Sequence, residues 1–128
     1  MKVYLVAGEP SGDKLGAELM AGLKSCAAYE LDFHGVGGPL MEEQGLTSLF
    51  PITEIAVMGI GEILAKYIFL KKRIKNTVDD ILRLKPDVLI TIDAPEFSLR
   101  VAKMVRKKLF INTIHYVAPT VWAWRPNR

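Results

Sequence analysis

The stretch PDVLITIDAPEFSL, from Pro86 to Leu99, restricts what this chain can fold into more than any other. Val88, Leu89, Ile90, Thr91 and Ile92 form a short apolar, β-branched run, the pattern of a strand buried on both faces of a parallel sheet. Asp93 ends the run, and Ala94-Pro95 forbids its continuation, because proline has no amide to give to a ladder. From Glu96 a helical spacing takes over, with Phe97, Val101, Met104 and Val105 on one side. Asp93 therefore stands where a buried strand turns outward into a helix, which is where open α/β sheets bind ligands. The same residue would serve equally as a carboxylate that caps the helix or binds turn amides, so the residue alone leaves both roles open.

The rest of the chain repeats this alternation. Val3 to Ala7 reads as a first strand, followed by the tight loop Gly8-Glu9-Pro10-Ser11-Gly12-Asp13 and a helix striped by Leu15, Leu19, Met20 and Leu23. Leu31 to Val36 reads as a second strand closing into Gly37-Gly38-Pro39, then a short helix from Leu40 to Gln44 ended by Gly45. Thr47 to Phe50 reads as a short third strand. The glycine-broken apolar segment Ile55 to Gly61 is a loop leading into helix, and one long helix or two run from 60 to about 84, before Pro86. After the Asp93 strand come a basic helix to about Lys108 and a last strand from Ile111 to Val117. Strands alternating with helices predict a doubly wound parallel sheet with right-handed crossovers, a Rossmann-like α/β fold in one domain spanning residues 1–128. The loops Gly8–Asp13, Val36–Pro39, Asp93–Phe97 and Ala118–Arg125 all follow strands, so they gather at the C-terminal edge of such a sheet.

Composition narrows the function classes. A net charge of +3 is mild, and suits phosphorylated ligands or an anionic membrane surface without requiring either. The single cysteine, Cys26, excludes an internal disulfide framework, and with two separated histidines it makes a zinc site improbable. Lys2 leads directly into a strand-like run, so no signal peptide is expected, and no apolar stretch is long enough to span a bilayer. A cytoplasmic or peripheral membrane protein with no nucleic-acid partner is the expectation.

The loop chemistry argues against nucleotide cofactors. The first loop lacks both the G-x-G-x-x-G and the G-K-[ST] spacing, Pro10 removes an amide donor, and Glu9 and Asp13 place negative charge where a phosphate would sit. Carboxylates and a hydroxyl there suit recognition of sugar hydroxyls, with Ser11 or Asp13 as a cap of the next helix being the alternative. Near the C-terminus, Trp122, Trp124 and Arg125 offer flat apolar walls beside a cation, fit for a sugar, an acyl chain or a phosphate, or else simply cover the sheet edge. His115 lies inside the last strand and reads as a satisfied core histidine rather than a base.

The motifs Gly8-Glu9-Pro10-Ser11-Gly12-Asp13, Ala56-Val57-Met58-Gly59, Lys85-Pro86-Asp87, Ile92-Asp93-Ala94-Pro95 with Phe97, and Ile114-His115-Tyr116-Val117 with Pro119 and Val121-Trp122-Ala123-Trp124-Arg125 closely resemble the lipid A disaccharide synthase family. The resemblance spans nearly the whole chain. It implies the N-terminal, acceptor-side half of a two-domain inverting glycosyltransferase of the GT-B type, joining UDP-diacylglucosamine to diacylglucosamine 1-phosphate with release of UDP on the cytosolic face of the inner membrane. It implies Asp93 as the general base, substrate contacts from Glu9, Ser11, Gly12, Asp13, Met58, Gly59, Trp122, Trp124 and Arg125, no cofactor and no catalytic metal. Family members are much longer and take most UDP-sugar contacts from a second domain. The chain ending at Arg128 is therefore expected to lack that C-terminal domain and to be inactive alone, with a homodimer an expectation for the full-length form.

The long helix carries a further expectation. Ile60, Ile63, Leu64, Tyr67, Leu70 and Ile74 make an ordinary core stripe, whereas Phe69 falls opposite with Glu62, Lys66 and Arg73, and Ile68 lies at the stripe's edge. Apolar groups among Lys66, Lys71, Lys72, Arg73 and Lys75 suit an interfacial helix, with Ile68, Phe69, Lys71 and Lys72 as membrane contacts. Two other classes compete with the enzyme. A non-catalytic lipid- or sugar-binding α/β module fits the same pattern. A receiver-type signalling domain fits less well, since Ala118-Pro119-Thr120 stands where its lysine is needed.

Overall fold

The computed structural model describes residues 1–28, 30–52 and 63–116. Strands β1 (Lys2–Ala7), β2 (Asp32–Val36), β3 (Thr47–Ser48), β4 (Val88–Ile92) and β5 (Asn112–Tyr116) alternate with helices α1 (Pro10–Cys26), α2 (Pro39–Glu43), α3 (Ile63–Leu84) and α4 (Pro95–Arg106). All four strand pairings are parallel and the sheet order is β3-β2-β1-β4-β5. The doubly wound fold expected from the alternation is the fold observed.

Strands β1, β2 and β4 split their side chains between two layers, as the two-residue period requires. Val3, Leu5, Ala7, Phe33, Ile90 and Ile92 pack with Met20 of α1 and Met41 of α2. Tyr4, Val6, Val36 and Leu89 face the other way, against Leu70, Ile74, Val78 and Ile81 of α3 and Phe97, Val101 and Val105 of α4. Gly35 is the point where β2 demands a glycine: its φ is +141°, and a Cβ there would lie 1.8 Å from the Leu5 carbonyl oxygen.

Boundaries differ from expectation by a residue or two. The third strand is shorter than Thr47–Phe50, because the chain leaves the ladder after Ser48 and turns the Phe50 ring into the core. Helix α4 stops at Arg106, and the Lys108 and Leu109 amides both close on the Val105 carbonyl. Met104 is exposed rather than packed with Phe97, Val101 and Val105. His115 is also exposed, on the outermost of the described strands; its Nδ1 lies 2.8 Å from Thr91 Oγ1.

A part-buried polar pairing between Tyr4 and Asp80 joins the sheet to α3. The Tyr4 hydroxyl, fully buried on β1, donates to Asp80 Oδ2 at 2.8 Å, and Arg83 of α3 donates to Asp80 Oδ1 at 2.6 Å. Burial first, and then the Asp80 carboxylate, push the Tyr4 phenol far above the ordinary 10.0. Unfolded tyrosine ionises near pH 10, so this contribution is intact below about pH 10 and declines as pH rises further, where only the unfolded state releases the proton. Tyr4→Phe should cost about 1 kcal/mol at neutral pH. It should also flatten the loss of stability above about pH 10, measured as urea midpoints across alkaline pH for both proteins.

Candidate functional site

In the order β3-β2-β1-β4-β5 the chain runs one way from β1 and the other way from β4, so the strand order reverses between these two neighbours. Ala7 pairs with Ile92, the last residues of β1 and β4. The loops that follow them, Gly8-Glu9 and Asp93-Ala94, therefore leave side by side at the C-terminal edge, and the crevice between diverging loops is where doubly wound folds take ligands. Gly12 is buried at this seam; a Cβ there would meet Ala7 Cβ at 3.3 Å and the Ile92 carbonyl at 3.6 Å. It lets α1 approach the sheet and does not face the crevice. Glu9 and Ser11 are exposed at the rim.

Asp93 is half-buried, and its backbone is unusual. Its φ is +43° and that of Ala94 is also +43°, the left-handed region in which L-residues are disfavoured. The turn is anchored on both sides. The Asp93 amide donates to the Tyr116 carbonyl at 3.0 Å, while the Ala94 carbonyl accepts from the Phe97 and Ser98 amides at 3.0 and 2.9 Å. These bonds fix where residue 93 stands at the C-terminal edge of the sheet, and a carboxylate at such a place can accept a proton from a hydroxyl within hydrogen-bond reach.

Asp13 has a different task from the one the sequence suggested. Its carboxylate is 4% exposed and accepts from three amides at the start of α2: Gly38 at 2.9 Å, Met41 at 3.0 Å and Leu40 at 3.1 Å. Its side chain does not cap its own helix; it clamps the loop after β2 to the start of α1. Ser48, which sequence reasoning did not single out, completes this corner. Its hydroxyl accepts from the Gly37 amide at 3.1 Å and donates to the Phe50 carbonyl at 2.6 Å. A cleft of about 420 Å³ opens beside it, between Gly37-Gly38-Pro39 and Ser48 to Ile52. A Ser two residues before an aromatic carries no local signal for such a role. Met58, Gly59, Trp122, Trp124 and Arg125 lie outside the described residues. Among the described residues no three metal-ligating side chains converge.

A second surface lies along α3 and α4. An open groove of about 760 Å³ between them is lined by Lys71, Lys72 and Lys75 from α3, and by Arg100, Lys103, Lys107 and Lys108 from α4 and the turn after it. Asp79, the one carboxylate on its rim among the described residues, is paired with Lys75 at 3.2 Å. Tyr67, Ile68 and Met104 are exposed in the groove, Ile68 at 59%. Phe69 is not part of this surface. It is half-buried against the core, with the Arg73 guanidinium 5.2 Å from its ring centre and 4.7 Å from that of Phe50. The third-strand segment covers that flank of the helix, which the spacing along α3 alone does not reveal.

The fold and its crevice define a Rossmann-like α/β protein that presents a carboxylate at its topological switch point. Residues 3–128 match the family model described as LpxB, lipid-A-disaccharide synthetase. The chain is 56% identical over its whole length to the lipid-A-disaccharide synthase of Ruegeria pomeroyi, covering 32% of that protein. It is 49% identical to that of Rhodospirillum centenum over 98% of the chain and 32% of the relative. It is 48% identical to that of Pseudomonas fluorescens (strain Pf0-1) over 100% of the chain and 34% of the relative. The chain belongs to the lipid-A-disaccharide synthase family, and spans about a third of the length of these relatives.

The Asp13 clamp makes a direct prediction. Asp13→Asn turns one of its two acceptor atoms into a donor facing an amide, and should lower stability by about 1–3 kcal/mol, read from urea unfolding. A change below about 0.5 kcal/mol would show that the three amides find other partners.

Proposed function

We propose that this chain forms the N-terminal, acceptor-side part of an inverting, two-domain GT-B glycosyltransferase that condenses UDP-diacylglucosamine with diacylglucosamine 1-phosphate. The observation that carries this reading is the half-buried Asp93 carboxylate at the reversal of strand order, beside the loop bearing Glu9 and Ser11. The acceptor hydroxyl gives its proton to Asp93 as its oxygen bonds to the anomeric carbon of the donor sugar. The bond from that carbon to the diphosphate breaks on the opposite side, releasing UDP and inverting the configuration. Glu9 and Ser11 hold sugar hydroxyls by hydrogen bonds. Met58, Gly59, Trp122, Trp124 and Arg125 serve as further substrate contacts in this reading, with the Arg125 guanidinium offsetting phosphate or leaving-group charge. A C-terminal domain supplies the remaining donor contacts, and the full-length form is a homodimer.

The lipid substrates put the enzyme at the cytosolic face of the inner membrane. The basic groove between α3 and α4 supports this: its lysines and Arg100 face anionic headgroups, and Ile68, Tyr67 and Met104 enter the interface.

A chimera tests the chemistry: this chain replaces the matching third of the Ruegeria pomeroyi relative. Asp93→Asn there keeps the shape but accepts no proton. It should cut kcat about 100-fold or more with the melting temperature nearly unchanged. Falling stability with surviving turnover per folded molecule would make Asp93 a turn residue and favour a non-catalytic binding module. The membrane reading is tested on the chain itself. Lys103→Glu with Lys107→Glu should weaken cosedimentation with phosphatidylglycerol vesicles by roughly tenfold or more, and Ile68→Ser should weaken it further. Unchanged sedimentation of both would remove the groove from the membrane.

A further inference from the structure

Among the described residues, three other than glycine have positive φ: Lys85, Asp93 and Ala94. Lys85 is accounted for by its place. It follows the last turn of α3, where its amide closes on Ile81 O at 2.9 Å, and helix ends commonly pass through the left-handed region. Asp93 and Ala94 have no such reason. They precede a helix, where the capping residue is ordinarily extended, yet Ala94 caps α4 at φ +43° and ψ +59° without a side-chain bond. Pro95 follows, and its ring biases the preceding residue toward extended backbone. The local sequence thus resists the conformation that the fold imposes, at the one turn that presents the proposed base.

Glycine would take this conformation at no steric cost, and also all the neighbouring ones. Alanine has only a narrow left-handed well. Once the Asp93–Tyr116 bond and the two amides on the Ala94 carbonyl hold it there, it has no adjacent state to drift into. Strain kept at such a position is a mark of function rather than of stability. Resting on the reading of Asp93 as the general base, we propose that Ala94 is a positioning residue. Its Cβ confines the left-handed pair Asp93-Ala94, and so fixes the direction in which the Asp93 carboxylate meets the acceptor hydroxyl.

The test uses the same chimera with Asp93→Asn, Ala94→Gly and Ala94→Asn, measuring kcat, acceptor KM and melting temperature. Ala94→Gly relieves strain and should leave the melting point level or a few degrees higher, while lowering kcat about tenfold with KM within about twofold. Ala94→Asn, which tolerates the left-handed region, should keep most of the rate. A wild-type kcat in Ala94→Gly, or a rate that falls only together with the melting point, overturns the proposal. So does an Ala94→Asn rate as low as that of Ala94→Gly. Wild-type turnover in Asp93→Asn overturns the underlying reading instead, and so separates the two failures.

Discussion

Strand β1 is the constraint on which the rest depends. It is the only described strand that bonds to two long neighbours leaving in opposite topological directions, β2 on one side and β4 on the other. Its residues Val3 to Ala7 are all buried, so both of its faces must be matched by helices, and each crossover has to return over the correct face. Parting loops at the top of β1 and β4 follow from that geometry, whatever residues occupy them. The crevice comes with the topology, and the chemistry comes from what the two loops carry into it.

Much of this was legible because the strands are made of Val, Leu, Ile and Phe in runs bounded by glycine and proline. Such runs leave little choice between sheet and helix at their length. What was not legible depended on partners far along the chain. Nothing near Asp13 in sequence tells that its carboxylate meets amides more than twenty residues away, at Gly38, Leu40 and Met41. His115 looks like a core residue because its strand is apolar, yet β5 is the outermost described strand and nearly all its side chains are exposed. Phe69 sits on the polar side of α3 by spacing, but Arg73 and Phe50 cover that side. The left-handed backbone at Ala94 runs against what the residue before a proline is expected to do, so no sequence rule points to it.

Helix α4 ties the two surfaces together. Its first turn holds the Asp93-Ala94 corner through two amides, and its outer face carries Arg100 and Lys103 into the basic groove. Twelve residues make a rod of about 18 Å, which sets the scale of the separation between the Asp93-Ala94 corner and the far end of the groove. The inner face is fixed by Phe97, Val101 and Val105 in the core, so the helix cannot turn to trade one surface for the other.

The edge formed by β5 has a consequence of its own. Its outer backbone has no partner strand among the described residues, and Ile114 and Tyr116 are 52% and 38% exposed, with Phe110 wholly exposed just before it. Natural sheets usually blunt such an edge with charge or proline, and between Asn112 and Tyr116 there is neither a lysine nor a proline. Two copies meeting at this edge could extend one continuous sheet through main-chain bonds alone, without any complementary side chains. A sheet edge of this composition favours association through the main chain, whatever the net charge of the molecule.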